Sequence, residues 1–328
     1  MQDTSRSEPF VRDTSRLRLS VLVPTYRRID DLKRCLVALA AQRRFADEII
    51  MVLRDTDQET SEWLKALEHK PPHLRMVTVT EPGQVAALNR GLDEVSGDVV
   101  AITDDDAAPH PDWLERVERH FFNDGAIGGV GGRDYVAGEP PGREQHLVGK
   151  LYWYGRIVGN HHLGVGGPRY VDFLKGANMS YRTAALRERR FDVRLRGSGA
   201  QVHNELGIGF ALARRGWRLL YDPAVAVDHY PSVRHDADQR GGTSKQSMEH
   251  RCYNAAVSLT EHLTWAGRVA YLIYGITVGS RARPGLIQCV RLTVVERRSL
   301  WRLLMPAWRG HVSGWWDAVR SRPENSHR

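Results

Sequence analysis

Apolar and polar positions fall into two kinds of block over the first hundred residues. Short apolar runs (LRLSVLVP, DEIIMVL, LRMVTV and DVVAIT) have the length and β-branched content of buried strands. Between them, IDDLKRCLVALAAQ, QETSEWLKALEH and GQVAALNRGLDEV space their apolar residues as one face of a helix requires, for instance at Leu32, Leu36 and Leu39. Asp30 and Asp31 suit the positive end of the first helix dipole, and Pro24 is expected to stop the first strand. The alternation predicts a largely parallel sheet with helices on its faces, and such sheets bind ligands beyond the carboxyl ends of their strands. Both VPTYRR and the aspartate triplet at 104–106 fall there.

Beyond residue 125 the pattern loosens. GAIGGVGG and GNHHLGVGGPRY read as glycine-rich loops around a helix near 146–158. YVDFLKGANMSYRTAAL predicts a strand, a turn, a second strand and a helix. HNELGIGFALARRGWRLLYDP predicts a helix ended by Gly216 and then a strand, with AVAVDHYP as one more short strand. The last third is helical. Its longest uncharged apolar run, VAYLIYGITVGS, falls short of the ~20 residues that a bilayer crossing needs. With LIQCVRLTVV and a segment holding Trp301, Trp308, Trp315 and Trp316, it makes apolar faces edged by Arg and Trp. Peripheral membrane contact and a helical subdomain packed on the core both fit that mixture.

Composition narrows the class. With 328 residues, 41% of them hydrophobic and 26% charged, the chain suits one large domain or a core domain with an appendage and excludes wholesale disorder, collagen and a multispan membrane protein. The net charge of +8 favours an anionic partner, and no nucleic-acid recognition motif accompanies it, so nucleic acid is not expected. The polar N-terminal segment lacks the apolar core of a secretory signal, which predicts a cytoplasmic protein. Cys35, Cys252 and Cys289 are odd in number and scattered, so buried thiols are expected rather than a disulfide framework. His161 and His162 lack a second cluster at ligand spacing and read as solvated loop histidines, and Trp217 reads as a core residue.

The chemistry concentrates in VVAITDDDAAPHPDWL, where Asp104, Asp105 and Asp106 crowd the end of a buried strand. Adjacent carboxylates repel, so a positive charge is expected to meet them. A D-x-D at this edge can hold Mg2+ or Mn2+ through hard oxygens, and the ion then grips a diphosphate. No GxxxxGK[ST] is present, and GGVGGRD lacks the third glycine of a dinucleotide fingerprint, so a metal-held diphosphate remains. Asp106 is the expected direct ligand, leaving Asp104 to accept from a ribose or sugar hydroxyl.

SVLVPTYRR, EIIMV, EPGQVAALNRGL, VVAITDDDAAPHPDWL, KGANMSYR and GWRLLYDPAVAVDH, in this order, resemble the family 2 glycosyltransferases over residues 18–231. The resemblance implies an α/β, GT-A-type fold: a mostly parallel nucleotide-binding sheet flanked by helices, with a helical C-terminal extension. It implies an inverting transferase that takes a UDP-, GDP- or dTDP-linked sugar to a glycan, polysaccharide or lipid-linked acceptor. Pro24, Thr25, Tyr26 and Arg27 are then expected to line the nucleotide pocket, with Asp55, Asn89, Asp104 and Asp105 among the donor contacts and the D-x-D binding metal. His229 matches the family's late histidine, near metal or diphosphate, with a structural histidine as the alternative.

Two departures stand out. Where many relatives close the second strand with paired acids, this chain has Leu53 and Arg54, with Asp55 two positions after Leu53. Where relatives carry Glu-Asp or Asp-Asp at the start of a later helix, it has Asn204 and Glu205. Inversion needs a carboxylate to take the acceptor proton, which makes Glu205 the candidate base, against an ordinary first-turn glutamate; Asp172 and Asp192 come next. The expected organisation is a flexible N-terminus over 1–17, a glycosyltransferase domain over 18–240 (donor half 18–110, acceptor half 111–240) and a basic helical region over 241–328. The rival functions are a sugar nucleotidyltransferase, whose Gly-rich basic loop VPTYRR does not supply, and a non-catalytic nucleotide-binding protein, against which Asp104, Asp106 and Glu205 speak.

Overall fold

The computed structural model describes residues 16–69, 71–138, 142–187, 189–233, 244–297 and 299–321. The expected flexible N-terminus over 1–17, save its last two residues, lies outside them, as does the expected boundary at 240.

The first half runs β1 (Leu19–Thr25), α1 (Ile29–Ala40), β2 (Glu48–Arg54), α2 (Gln58–Ala66), β3 (Leu74–Val79), α3 (Gln84–Leu92) and β4 (Val99–Ile102). β1 pairs in parallel with β2 and β4, and β2 with β3, as the alternation predicts. Pro24 does not stop β1, which continues to Thr25. Leu22 O accepts from Thr103 N, so the nitrogen of Pro24, two residues on, faces the side where β4 has already ended, and its missing N–H breaks no bond.

The second half adds β5 (Ala107–Pro109), α4 (Trp113–Asn123), β6 (Ile127–Val136), β7 (Lys150–Leu151), β8 (Ile157–Val158), β9 (Arg169–Val171), β10 (Met179–Arg182), the single turn α5 (Thr183–Leu186), α6 (Asn204–Arg214) and β11 (Arg218–His229). The main sheet has the order β3-β2-β1-β4-β10-β6-β11-β5, with β9 also on β11. β10 runs antiparallel to β4 and β6, whereas β11 is parallel to β6 and antiparallel to β5 and β9. The sheet is therefore parallel through β1–β4 and mixed beyond them.

Four local expectations are corrected. GAIGGVGG is not a loop but most of β6. Its glycines let β11 and its neighbours approach: a Cβ on Gly132 would lie 1.7 Å from Val225 O, and one on Gly129 would lie 2.6 Å from Leu219. Glycine there removes the apolar pattern by which a strand is recognised. No helix forms near 146–158; β7 and β8 make a hairpin, closed by Gly155 N donating to Tyr152 O at 2.8 Å with Gly155 at φ +83°. AVAVDHYP belongs to β11, which continues past an irregularity between Asp222 and Val227. His161 is buried, its Nε2 set 3.1 Å from Phe173 O, and burial lowers its pKa to about 4.

One apolar layer joins the sheet to α1, α2 and α4 through Leu32, Leu36, Leu64, Trp113 and Phe121. The other joins it to α3 and α6 through Leu88, Leu92, Ile208 and Leu212, with Trp217 packed against it as expected. The chain then continues as α7 (Lys245–Thr260), α8 (Trp265–Thr277), α9 (Leu286–Val295) and α10 (Trp301–Arg320). α7 inserts Tyr253 and Val257 into the second layer, so the C-terminal helices pack on the core. Cys35, Cys252 and Cys289 are buried and unbonded.

Candidate functional site

The carboxyl ends of β1, β2 and β4 open on a cleft whose other wall is the segment 198–200 leading to α6. β1 supplies Pro24 and Thr25, β2 supplies Val52 and Arg54, and the start of α3 supplies Gln84; the turn between β4 and β5 brings the three aspartates.

Those aspartates alternate in direction. Asp105 accepts from Thr25 Oγ1 and from Arg28 Nη1, both at 2.8 Å. Part of the positive charge expected opposite the triplet is therefore the chain's own Arg28. Burial pushes the Asp105 carboxyl up to about 7 against the pull of Arg28. Burial also works against the Arg28 charge, but Asp105 and Asp106 more than restore it, and the guanidinium stays cationic.

Asp104 and Asp106 meet His229 at the end of β11, with ligand atoms of the three residues all within 4.8 Å of one another. His229 Nε2 stands 3.3 Å from Asp106 Oδ1, and Ser232 N donates to Asp106 Oδ2 at 3.2 Å. Burial opposes ionisation of Asp106, yet His229 and that N–H hold it down to about 2. Burial likewise lowers His229, but Asp106 and Asp134 raise it to about 9. Asp134 of β6 has Oδ2 3.7 Å from His229 Nδ1 and accepts from Lys175.

Both ring nitrogens of His229 thus face carboxylates, Asp106 and Asp134, as ion pairs that fall short of good hydrogen-bond geometry. Two carboxylates and an imidazole that gives up its proton are a donor set that suits a divalent cation. Asp134 lies where a carboxylate behind a ligating histidine orients the ring.

Gln84 links this cluster to α6. Its Nε2 donates to Asp104 Oδ1 at 3.0 Å, and its Oε1 accepts from Asn204 Nδ2 at 3.3 Å. Asn204 opens α6, and Glu205 follows in its first turn. Glu205 keeps some exposure, but desolvation pushes its carboxyl up to about 7; its own backbone N–H and Lys175 pull it down, and Asp104 adds to the rise. A carboxyl titrating there is suited to accept a proton at neutral pH.

Residues 20–192, more than half of the chain, match Glycosyl transferase family 2. The chain belongs to this family. It is similar to glycosyltransferase AglE of Haloferax volcanii, 30% identical over 101 residues, which are 30% of this chain and 33% of AglE. That match spans about a third of the relative's length. It is also similar to the glucosyl-dolichyl phosphate glucuronosyltransferase of the same organism, 24% identical over 225 residues, 65% of this chain and 69% of the relative. Among solved structures, the mannosyltransferase PcManGT from Pyrobaculum calidifontis, in complex with GDP-Man and Mn2+, aligns with a TM-score of 0.57 at 19% identity over 93% of this chain and 88% of its own. S. aureus TarS 1–349, in complex with UDP-GlcNAc, gives 0.61 at 16% identity over 92% and 81%. At these identities the two structures show the GT-A fold.

The family 2 glycosyltransferase thus gathers Pro24, Thr25, Tyr26 and the three aspartates in one cleft, with His229 against Asp106 and Glu205 joined through Gln84. Three other residues expected at the donor do not line this cleft. Arg27 is not part of the cleft wall, to which Arg28 belongs instead; its N–H donates to Asp57 Oδ2 at 2.6 Å, and its guanidinium lies 5.1 Å from the Tyr26 ring centre. Asp55 is exposed beside Arg54 at 3.6 Å. Asn89 exchanges hydrogen bonds of 2.9 and 2.8 Å with the Phe191 backbone, pinning α3 to that loop. Asp172 is held by Leu151 N at 2.7 Å, and Asp192 by Arg194 at 2.6 Å.

Sequence reasoning missed Arg28, Gln84, Asp134 and Lys175. Only Asp134 carried a signal, as an acid at a buried position once the glycine-rich stretch before it is recognised as a buried strand.

Proposed function

We propose that this glycosyltransferase is inverting and metal-dependent, and that it moves a sugar from a UDP-, GDP- or dTDP-linked donor to a glycan, polysaccharide or lipid-linked acceptor. The supporting observation is the Asp104, Asp106 and His229 cluster, whose aspartates line a cleft that Gln84 ties to the helix carrying Glu205. The ligands bound by PcManGT and TarS are of the same chemical class. Peripheral membrane contact belongs to this reading, since a lipid-linked acceptor is met only there.

Glu205 takes the proton from the acceptor hydroxyl as that oxygen bonds to the anomeric carbon. The bond from that carbon to the diphosphate oxygen breaks, and the nucleoside diphosphate leaves with the electron pair from the opposite face, which inverts the centre. Asp104, Asp106 and His229 would hold the divalent cation, whose charge would stabilise this leaving group. Thr25 and Arg28 hold the aspartate turn in place through Asp105. Gln84 keeps Asp104 and the start of α6 at a fixed separation.

Calorimetric titration of UDP and GDP with and without Mn2+, together with nucleotide-sugar turnover before and after EDTA, tests the reading. Metal-dependent binding and turnover are expected. Binding and turnover indifferent to EDTA would remove the metal from the mechanism.

A further inference from the structure

The last three helices each bury one face and leave the other bare. α8 buries Tyr271 and Gly275 and exposes Val269 and Ile273. α9 turns Cys289 and Leu292 inward and Ile287, Val290 and Val294 outward, with Val294 73% exposed. α10 exposes Trp301, Met305, Val312 and Trp316, whose spacings of four, seven and four residues put them on one stripe. Trp308 and Trp315, which sequence reasoning grouped with these, instead donate to backbone carbonyls of α8, each at 3.0 Å. Those two bonds hold α8 to α10, and α9 touches both helices.

Charge completes the picture. Residues 265–321 carry nine arginines and no lysine against two acids, Glu296 and Asp317, so seven of the chain's eight net positive charges lie there. Arg302 and Arg309, both exposed and two helical turns apart, border the apolar stripe of α10. Isolated exposed apolar residues are ordinary; three bare stripes on adjoining helices with arginines at the margin are the composition of an interfacial face. Among the described residues no helix is long and apolar enough to cross a membrane.

We propose that the exposed faces of α8, α9 and α10 together form a docking surface for an anionic lipid bilayer, lying on it without crossing. A second copy of the chain is the poorer occupant, because a two-fold contact would set this arginine-rich face against itself. Apolar side chains enter the boundary between headgroups and acyl chains while the arginines meet lipid phosphates, each basic side chain near the surface contributing attraction that salt screens. The inference deepens the reading of peripheral membrane contact and names its surface.

The test is co-sedimentation of the full chain with vesicles of phosphatidylcholine alone or mixed with phosphatidylglycerol. Binding to the mixed vesicles, weakened by salt, is expected. Ile273→Glu/Val294→Glu should lower that binding at least tenfold, and Arg302→Glu/Arg309→Glu should lower it on anionic vesicles by about the same factor. Circular dichroism and Mn2+-dependent UDP or GDP titration of the same variants report fold and cleft separately. A failed donor site therefore does not pass for failed docking, nor the reverse. Absence of vesicle binding, or variants that bind like the parent, overturns the proposal. So does a concentration-dependent dimer that Val294→Glu dissolves, which would assign the face to a second copy.

Discussion

Gln84 and Asn204, 120 residues apart in the chain, share a hydrogen bond of 3.3 Å. The same amide holds Asp104 at 3.0 Å, so one side chain sets the separation between the cluster on the sheet and the helix that carries Glu205. On the proposed mechanism transfer needs those two groups on either side of one sugar, and a fixed spacing spares the reaction the entropy of bringing them into place.

Gln84→Met keeps the bulk and removes both bonds. A hydrogen bond to a charged group contributes about 1.5–3 kcal/mol, so turnover should fall about tenfold or more. Steady-state kinetics over a range of donor concentration are expected to show the loss mainly in kcat. An unaltered kcat would mean that the spacing is set by the backbone alone.

Glu205 titrates near 7 because desolvation disfavours its charged form. A base must be unprotonated, so the rate should climb as pH rises toward about 7 and level above it. Glu205→Gln should lower transfer ~10²- to 10⁴-fold, erase that limb and leave donor affinity unchanged. A glutamine variant working near the parent rate passes the role to another group.

Asp105 and Asp106 are neighbours with different surroundings. Asp106→Asn should weaken Mn2+-dependent binding of UDP or GDP at least tenfold with the fold intact, as calorimetry can show. Asp105→Ala instead takes from the largely buried Arg28 its 2.8 Å partner, a change of the kind that costs ~3 kcal/mol. Its signature is a lowered urea midpoint, and a variant as stable as the parent would contradict the structural role.

Gly132→Ala tests the closeness of β6 and β11. An added methyl would meet Val225 O at 1.7 Å, a contact that backbone must move to relieve. A loss of at least ~1–3 kcal/mol in denaturant unfolding is expected. Because these strands carry Asp134 and His229, Mn2+ affinity should fall with it.

Much of the first half was legible because buried parallel strands are written as continuous apolar runs and their helices as three- and four-residue spacings. Leu19–Thr25 and Val99–Ile102 could therefore be placed, and with them the aspartates. β6 was hidden because close backbone approach replaced its apolar residues by glycine. Pairings across long stretches were hidden for another reason. Gln84 with Asn204, Lys175 with Asp134, and Arg28 with Asp105 are ordinary polar residues until the sheet order brings them together.

β5 is three residues long, ends the main path of the sheet and is bonded there to β11. Just before it, Asp106 takes Tyr230 N on its backbone carbonyl at 2.8 Å and Ser232 N on its side chain at 3.2 Å. A cation gripped by Asp106 and His229 would rivet this short strand to its neighbour. Opening of the edge would then have to release the ion, deepening protection by about 2.7 kcal/mol at a hundred times the dissociation constant. The amides of Ala107, Tyr230 and Ser232 should thus slow their exchange with heavy water when Mn2+ is added, reporting occupancy of the site before any sugar is supplied.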